Sequence, residues 1–361
     1  MTGRSLLADG ANMLELVERN GHGLPPERRR RWMIEMTRPA AAVERRPDPE
    51  RLILELANTC NLDCPMCRIG EFGVDATRFM ARELFDRCAA DLFPRVREVR
   101  LNGLGEATLV PWFEHCIDRV RDAGLHGELI TNLTCAEATM RRLVEARFVV
   151  LTSWDAATPA LFEKLRRPAV WQEQRARLQT LAALAARART SDHLHLLFTL
   201  QRANVAELPG VVELAADVGV PNVLVNVVKL RDERWVERAR PDILRSIEVA
   251  RELAHARGIA LTLPDHVGEL SLHGAGVLPT SARGCDRPHK EVVVRWNGEL
   301  TVCNMFNPYA YGHLERHGFD RSWNGSLAQA FRRLVDGPDP HPYCEGCYYV
   351  HGVYKRGGDS R

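Results

Sequence analysis

Apolar and polar positions alternate with two different periods between residue 51 and about residue 265. Short runs rich in Leu, Ile and Val occur at 51–57, 97–102, 127–131, 148–153, 193–200 and 222–228. Longer stretches between them, such as 80–93 and 112–122, carry apolar residues at helical spacing. Strands that alternate with helices predict an α/β fold with a buried parallel sheet. Six such units predict a partial (β/α)6 TIM barrel, whose ligand lies at the carboxyl ends of the strands.

The two ends of the chain follow other patterns. Residues 1–50 are rich in Arg and Pro and predict a helical extension followed by a linker. The arginine run at 28–31 is interpreted as a solvated helix face, with contact to an acidic ligand as the alternative. Residues 292–303 predict a hairpin that turns at Asn297-Gly298, a dipeptide that fits a type I′ turn, and a short helix is expected around 326–335. We therefore divide the chain into an extension (1–50), a barrel (51–265) and a small α+β domain (266–361).

Composition and charge exclude several classes of protein. The 361 residues include 49 Lys and Arg against 47 Asp and Glu, a formal net charge of +2, with 45% hydrophobic and 27% charged residues. This is an ordinary globular composition, and the balanced charge gives no electrostatic case for nucleic acid or an anionic membrane as partner. No apolar run approaches the roughly 18 residues of a membrane-spanning helix, and no export signal is recognisable. We expect a cytoplasmic protein.

Seven of the ten cysteines fall into two groups, and the first follows the first predicted strand. Cys60, Cys64 and Cys67 have the spacing Cys-x3-Cys-x2-Cys. Three thiolates on one loop can hold three irons of a cubane cluster and leave the fourth iron open to an external chelating group. A zinc ion would need a fourth ligand from elsewhere in the chain. The spacing favours the cluster, with zinc as the alternative.

The second group is Cys285, Cys303, Cys344 and Cys347. The predicted hairpin brings Cys285 and Cys303 together, and the Cys-x2-Cys loop can close over them. Four thiolates complete either an iron–sulfur cluster without an open iron or a structural zinc site. Spacing alone leaves both alternatives open.

The first motif, in its position after the first strand, resembles that of the radical S-adenosylmethionine superfamily over roughly residues 51–265. This resemblance implies that S-adenosylmethionine (AdoMet) chelates the open iron. Its reductive cleavage then yields a 5′-deoxyadenosyl radical that abstracts a substrate hydrogen. The resemblance also implies an external electron donor such as flavodoxin or ferredoxin.

The same resemblance assigns the contacts with AdoMet by position along the chain. They are Met66, Gly103, Gly105, Glu106, Ser153, Asp155 and Asn204. Met66 stands where an aromatic residue is usual, and Ala107 replaces a common proline, which affects adenine packing and loop shape rather than the iron ligands. Asp155 has an alternative role as the cap of a helix that starts near Thr158.

The second cysteine group resembles the auxiliary-cluster extension called SPASM, or twitch in its shortened form. Three further cysteines of the full form are missing after Cys347, so we predict the shortened form. The resemblance implies a second, fully ligated 4Fe-4S cluster. In the resembling enzymes such a cluster commonly accepts an electron from the substrate radical, which makes a two-electron oxidation possible; structural support of the small domain is its alternative role.

The function expected from these features is oxidation of an alcohol carbon in a small polar molecule. A sugar, an aminocyclitol or a nucleoside of a natural-product pathway is the preferred substrate. Alternatives are radical epimerisation, decarboxylation or elimination on a sugar, and modification of a ribosomal peptide. Lys229, Asp265 and His266 are candidate bases near the barrel rim. Cys135 is a candidate hydrogen-atom donor, with burial as its alternative role.

Overall fold

The structure is a computed structural model, and it describes residues 25–37, 46–67, 69, 78–228, 234–264, 266–267, 270–271, 285–303, 310–337 and 344. Lys229, Asp265 and Cys347 lie outside the described residues. His266 lies in a two-residue strand.

Helices and strands alternate through the middle of the chain, as the periodicity predicts. The helices are α1 (Pro26–Thr37), α2 (Arg82–Leu92), α3 (Phe113–Asp122), α4 (Glu137–Glu145), α5 (Pro159–Leu165), α6 (Trp171–Ala188), α7 (Leu208–Val218), α8 (Arg234–Arg238), α9 (Arg240–Arg257), α10 (Arg287–Lys290), α11 (Leu314–His317), α12 (Phe319–Trp323) and α13 (Ser326–Asp336). The strands are β1 (Arg51–Leu54), β2 (Glu98–Arg100), β3 (His126–Thr131), β4 (Val149–Ser153), β5 (Leu194–Leu200), β6 (Asn222–Val227), β7 (Ala260–Thr262), β8 (His266–Val267), β9 (Leu270–Ser271), β10 (Glu291–Val294), β11 (Glu299–Thr301) and β12 (Ala310–His313).

The main sheet has ten strands in the order β12-β11-β10-β1-β2-β3-β4-β5-β6-β7. Every neighbouring pair from β1 to β7 is parallel, which confirms the α/β partial barrel. The short strand β7 adds a seventh parallel strand to the six that were predicted. Its three residues are not buried, so it lacks the apolar run that marks the other strands.

The C-terminal hairpin extends the barrel sheet. Strand β10 pairs in parallel with β1, from Arg51 opposite Glu291 to Leu54 opposite Val294. The hairpin is confirmed, but its turn differs from the predicted type I′, which needs a positive φ at both central residues. Only Gly298 in this turn has a positive φ, of 87°. The amide of Arg295 donates to the carbonyl of Glu299 at 2.9 Å, so the loop consists of the three residues 296–298.

The first described helix, α1, packs against the last, α13. The Trp32 ring of α1 is buried and meets the Phe331 ring of α13 edge-on, with centroids 6.4 Å apart. Arg333 of α13 lies 3.6 Å from the carboxylate of Glu35. The arginines at 29–31 are exposed, as expected of a solvated face.

The core confirms two cysteine assignments. Cys88 and Cys116 are fully buried on the inner faces of α2 and α3, where a free cysteine acts as a small apolar residue. Among the described residues, the search for a helix long and apolar enough to cross a bilayer finds none.

Candidate active site

The cysteine loop begins at the carboxyl end of β1. The amide of Leu62 donates to Cys60 Sγ at 3.4 Å, and the amide of Ile69 donates to Cys67 Sγ at 3.5 Å. Cys60 and Cys64 are half-buried, Cys67 is exposed, and none forms a disulfide. Three thiols with main-chain amides directed at two of the sulfurs are a donor set that suits an iron–sulfur cluster. Across the described residues, no group of three or more His, Cys, Asp or Glu side chains lies close enough together to coordinate a metal ion.

Burial favours the neutral form of two thiols in the loop, those of Cys60 and Cys64. Burial raises the pKa of Cys64 to about 11, although the positive charge of Arg166 acts in the opposite direction. Burial also raises the pKa of Cys60. Because metal ligands must be thiolates, binding a cation at this loop would release protons.

The carboxylate of Glu106 is held next to the cysteine loop. Its Oε1 accepts hydrogen bonds from the hydroxyls of Thr108 and Thr131 at 2.7 and 2.8 Å, and its Oε2 accepts from the Asn132 amide at 2.8 Å. The amide of Glu106 in turn donates to the carbonyl of Thr59, one residue before Cys60, at 2.8 Å. Glu106 is buried, yet Oε2 keeps acceptor capacity for one further donor, such as an ammonium group.

The two glycines of this loop are required by internal packing. A Cβ on Gly103 would overlap the side chain of Glu55, and a Cβ on Gly105 would overlap the carbonyl oxygens of Ala57 and Thr59. The loop after β2 therefore lies directly against the chain that leads into the cysteine loop. A contact of either glycine with AdoMet stays a prediction.

Asp155 joins the site to a residue that the sequence did not indicate. Its carboxylate is fully buried, accepts from the Thr199 amide at 2.7 Å and forms an ion pair with Arg166. Arg166 Nη1 lies 3.9 Å from Cys64 Sγ. Burial alone would lower the pKa of Arg166, but Asp155 and Cys64 together raise it, so the guanidinium stays charged.

Arg166 also has unused bonding capacity. Its Nε is buried and has no hydrogen-bond partner within the described part of the chain. Asn102, which follows β2, has a buried side-chain oxygen in the same condition. Unpaired buried polar atoms are costly, so each is a place where a ligand could bind. Arg166 lies in an arginine-rich chain, and neither spacing nor periodicity distinguishes it from the others.

The capping alternative for Asp155 is wrong. No side chain caps α5, and the two amides that precede it, those of Ala157 and Thr158, donate to the carboxylate of Glu207 at 2.7 and 2.9 Å. The carboxylate of Asp155 bonds Thr199 and Arg166 instead.

The other predicted AdoMet contacts lie around the same rim. Asn204 is fully buried, and its side chain bonds the main chain of Asp155, Thr199 and Gln201 at 2.8–3.0 Å. These bonds brace the loop after β5 and would have to break before Asn204 could bind a ligand. Ser153, at the end of β4, and Met66, in the cysteine loop, are partly exposed.

Cys135 follows β3 and is partly buried. Burial raises the pKa of its thiol to about 12, so the sulfur carries a proton at neutral pH. This is the state that hydrogen-atom donation requires, and also the state of an inert buried cysteine. Its role stays a prediction.

In the second cysteine group, Cys344 is buried, while Cys285 and Cys303 are partly buried and pack against the hydrophobic core. Cys285 precedes α10, and Cys303 follows β11. Both cysteines therefore lie at the open end of the β10–β11 hairpin, opposite its turn. Their fourth expected partner, Cys347, is outside the described residues.

Comparison with known proteins supports this interpretation of the second group. Residues 285–348 match the family model of SPASM, an iron-sulfur cluster-binding domain, and this span includes the second cysteine group. A protein of Pyrococcus furiosus, the tungsten-containing aldehyde ferredoxin oxidoreductase cofactor-modifying protein, is 23% identical over 333 residues, covering 82% of this chain and 86% of that protein.

Two solved proteins share the fold. The structure of anSMEcpe with bound AdoMet matches with a TM-score of 0.61 at 14% identity, covering 84% of each chain. SuiB of Streptococcus suis matches with a TM-score of 0.60 at 12% identity, covering 88% of this chain and 81% of SuiB. Both proteins also have solved structures with a peptide bound, Cp18Cys peptide and precursor peptide SuiA respectively.

Proposed function

We propose that this chain, a radical S-adenosylmethionine protein with a C-terminal SPASM domain, cleaves AdoMet reductively and uses the 5′-deoxyadenosyl radical to take a hydrogen atom from a substrate. The observation that carries the proposal is the cysteine loop at the carboxyl end of β1, with Glu106 and Arg166 beside it. A 4Fe-4S cluster on Cys60, Cys64 and Cys67 would supply the electron and an open iron.

The side chains around the loop suit the amino-acid end of AdoMet. Glu106 is fixed by four protein donors and can accept a further hydrogen bond at Oε2 from an ammonium group. Arg166 is charged, and its buried Nε lacks a partner among the described residues, so it can bind a carboxylate. Glu106 contacts the chain next to Cys60, and Arg166 contacts Cys64. A negative and a positive charge therefore flank the loop, an arrangement that suits the ammonium and carboxylate groups of AdoMet.

The test is the iron and acid-labile sulfide content after anaerobic reconstitution, together with 5′-deoxyadenosine formed from AdoMet and a chemical reductant. We expect about eight irons in the wild type and about four in a Cys60/Cys64/Cys67 triple alanine variant, which should form no 5′-deoxyadenosine. Cys88→Ala, a change at a buried core cysteine, is the matched control and should keep both properties. Full iron or continued cleavage in the triple variant would refute the proposal.

For the overall reaction, oxidation of an alcohol carbon is our preferred outcome. The carbon would lose a hydrogen atom to the radical and the hydroxyl would lose a proton to a base. A cluster held by the second cysteine group would supply the acceptor for the remaining electron, which leaves a carbonyl. Support comes from the sheet, since β10, next to Cys285 in the chain, pairs with β1, which leads to Cys60. Lys229, Asp265 and His266 remain the proposed bases, and a sugar, aminocyclitol or nucleoside the proposed substrate.

Peptide modification is the second candidate function. It is favoured by anSMEcpe and SuiB, two proteins of the same fold that have been solved with peptides bound. Screening should therefore include both polyols and short peptides. Substrate-dependent 5′-deoxyadenosine with a mass loss of two hydrogens from a polyol would support the first candidate. A modified peptide with no polyol turnover would support the second.

A further inference from the structure

Asn132, the residue after β3, contacts both sides of the site. Its side-chain Nδ2 donates to Cys60 Sγ at 3.5 Å and to Asn61 Oδ1 at 2.9 Å. Its main-chain amide donates to Glu106 Oε2 at 2.8 Å. One residue therefore binds a cysteine sulfur, the cysteine loop and the carboxylate assigned to the AdoMet ammonium.

The orientation of the Asn132 amide is set by its neighbours. Its Oδ1 accepts hydrogen bonds from the amide of Thr134 at 3.0 Å and from the Thr134 hydroxyl at 2.7 Å. The hydroxyl could also accept, but the Thr134 main-chain amide can only donate. The amide nitrogen of Asn132 must therefore face Asn61 and Cys60, because the reverse orientation would place donor against donor. Both Nδ2 protons are thereby directed at the cysteine loop.

The turn that makes this arrangement possible is strained. Leu133 is fully buried with a φ of 60°, a left-handed conformation that a leucine rarely adopts. Its amide donates to Thr131 Oγ1 at 3.0 Å, and that hydroxyl donates to Glu106. The turn brings the Thr134 amide back to the Asn132 side chain, so the strain is offset by bonds at the site.

We propose that Asn132 is a positioning residue that tunes the N-terminal cluster through a hydrogen bond to the Cys60 sulfur while its main chain holds Glu106. This inference rests on the proposed function. Hydrogen bonds to cluster sulfurs help set the reduction potential. A reduced cluster carries more negative charge, so an N–H donor at Cys60 stabilises the reduced form and raises the potential.

The test is a redox titration of the reconstituted protein followed by electron paramagnetic resonance. The relevant signal is the one that the Cys60/Cys64/Cys67 triple alanine variant lacks. Asn132→Asp keeps the size and the acceptor for Thr134 but replaces the donor to sulfur by a carboxylate oxygen. We expect the reduction potential of the cluster to fall by about 59 mV, which is a roughly tenfold shift of a one-electron equilibrium towards the oxidised form. The iron content should be retained.

Thr134→Val is the matched control, because the Thr134 main-chain amide still orients Asn132 and the bond to Cys60 remains. Its potential should equal that of the wild type. AdoMet binding should fall less than about threefold in Asn132→Asp, since the main-chain bond to Glu106 survives.

An unchanged potential in iron-loaded Asn132→Asp would overturn the inference. If that variant binds no iron, Asn132→Ala decides by the same titration. If neither Asn132→Asp nor Asn132→Ala binds iron while Thr134→Val binds the full amount, Asn132 is needed for cluster assembly. This result would also overturn the inference. The wild-type protein is measured first. If it lacks the electron paramagnetic resonance signal of the N-terminal cluster, the proposed function is refuted before any Asn132 variant is compared.

Discussion

Replacing Arg166 with glutamine removes a guanidinium that pairs with the buried Asp155 carboxylate. The side chain of Arg166 is 12% exposed and that of Asp155 is 0% exposed, so the pair is shielded from solvent. Removing one partner of a buried pair costs about 3–5 kcal/mol. We expect the lower end of this range, since Asp155 keeps its hydrogen bond from the Thr199 amide.

The same change should weaken AdoMet binding. A hydrogen bond to a charged group contributes about 1.5–3 kcal/mol, which corresponds to a roughly 10- to 150-fold rise in Kd. Isothermal titration calorimetry on the reconstituted protein measures this Kd, and urea unfolding measures the free energy of unfolding.

Two further variants separate binding from stability. Asp155→Asn combined with Arg166→Gln removes both charges, so it should recover most of the lost stability without recovering AdoMet affinity. Arg167→Gln is the matched control, since the side chain of Arg167 is 55% exposed and pairs at 3.1 Å with Asp63, whose side chain is 86% exposed. It should change stability by less than about 1 kcal/mol and leave the Kd unchanged. An equal Kd in Arg166→Gln and Arg167→Gln would refute the role assigned to Arg166.

Three other outcomes follow from the structure. Cys285→Ala with Cys303→Ala should lose about four of eight irons and the substrate oxidation but keep 5′-deoxyadenosine formation; retained iron, measured chemically, would contradict a cluster there. Gly105→Ala should destabilise the fold by about 2 kcal/mol or more in urea unfolding, because its Cβ overlaps the Thr59 carbonyl; an unchanged midpoint would contradict this packing. If the protein is a dehydrogenase, Cys135→Ser should form as much product as the wild type, measured by chromatography. Loss of turnover with intact AdoMet cleavage would favour epimerisation.

The features that the sequence predicts well are local. Strand and helix periods, the cysteine spacings and the hairpin near Gly298 all depend on residues close together in the chain. The fold class, the buried Cys88 and Cys116 and the hairpin are accordingly confirmed. The short β7 was missed because its three residues have no buried face.

The features that the sequence does not show depend on contacts between distant segments. Arg166 reaches Cys64 across 102 positions, and Asn132 reaches Cys60 across 72. Neither residue type is unusual in its local setting, so no periodicity or motif marks it. The pairing of β10 with β1 is hidden for the same reason, because a run of valines fits any buried strand.

A buried carboxylate connects the loop after β2 with the C-terminal hairpin. Glu55 accepts from the Leu104 amide at 3.2 Å and from Arg295 Nε at 3.4 Å. Burial raises the pKa of Glu55, and Arg295 opposes this only in part. Leu104 belongs to the loop that presents Glu106, and Arg295 directly follows β10, the strand whose hairpin leads to Cys303.

The sheet adds a second link between the groups. Strand β1 has β2 on one side and β10 on the other, so it is an interior strand only because the C-terminal hairpin covers it. Without β10, the strand that leads to Cys60 would become an open edge and Glu55 would lose its cation. The change of sequence pattern near residue 265 therefore marks no break in the sheet, and β1 and Glu55 connect the cysteine loop to the segment that matches the SPASM model.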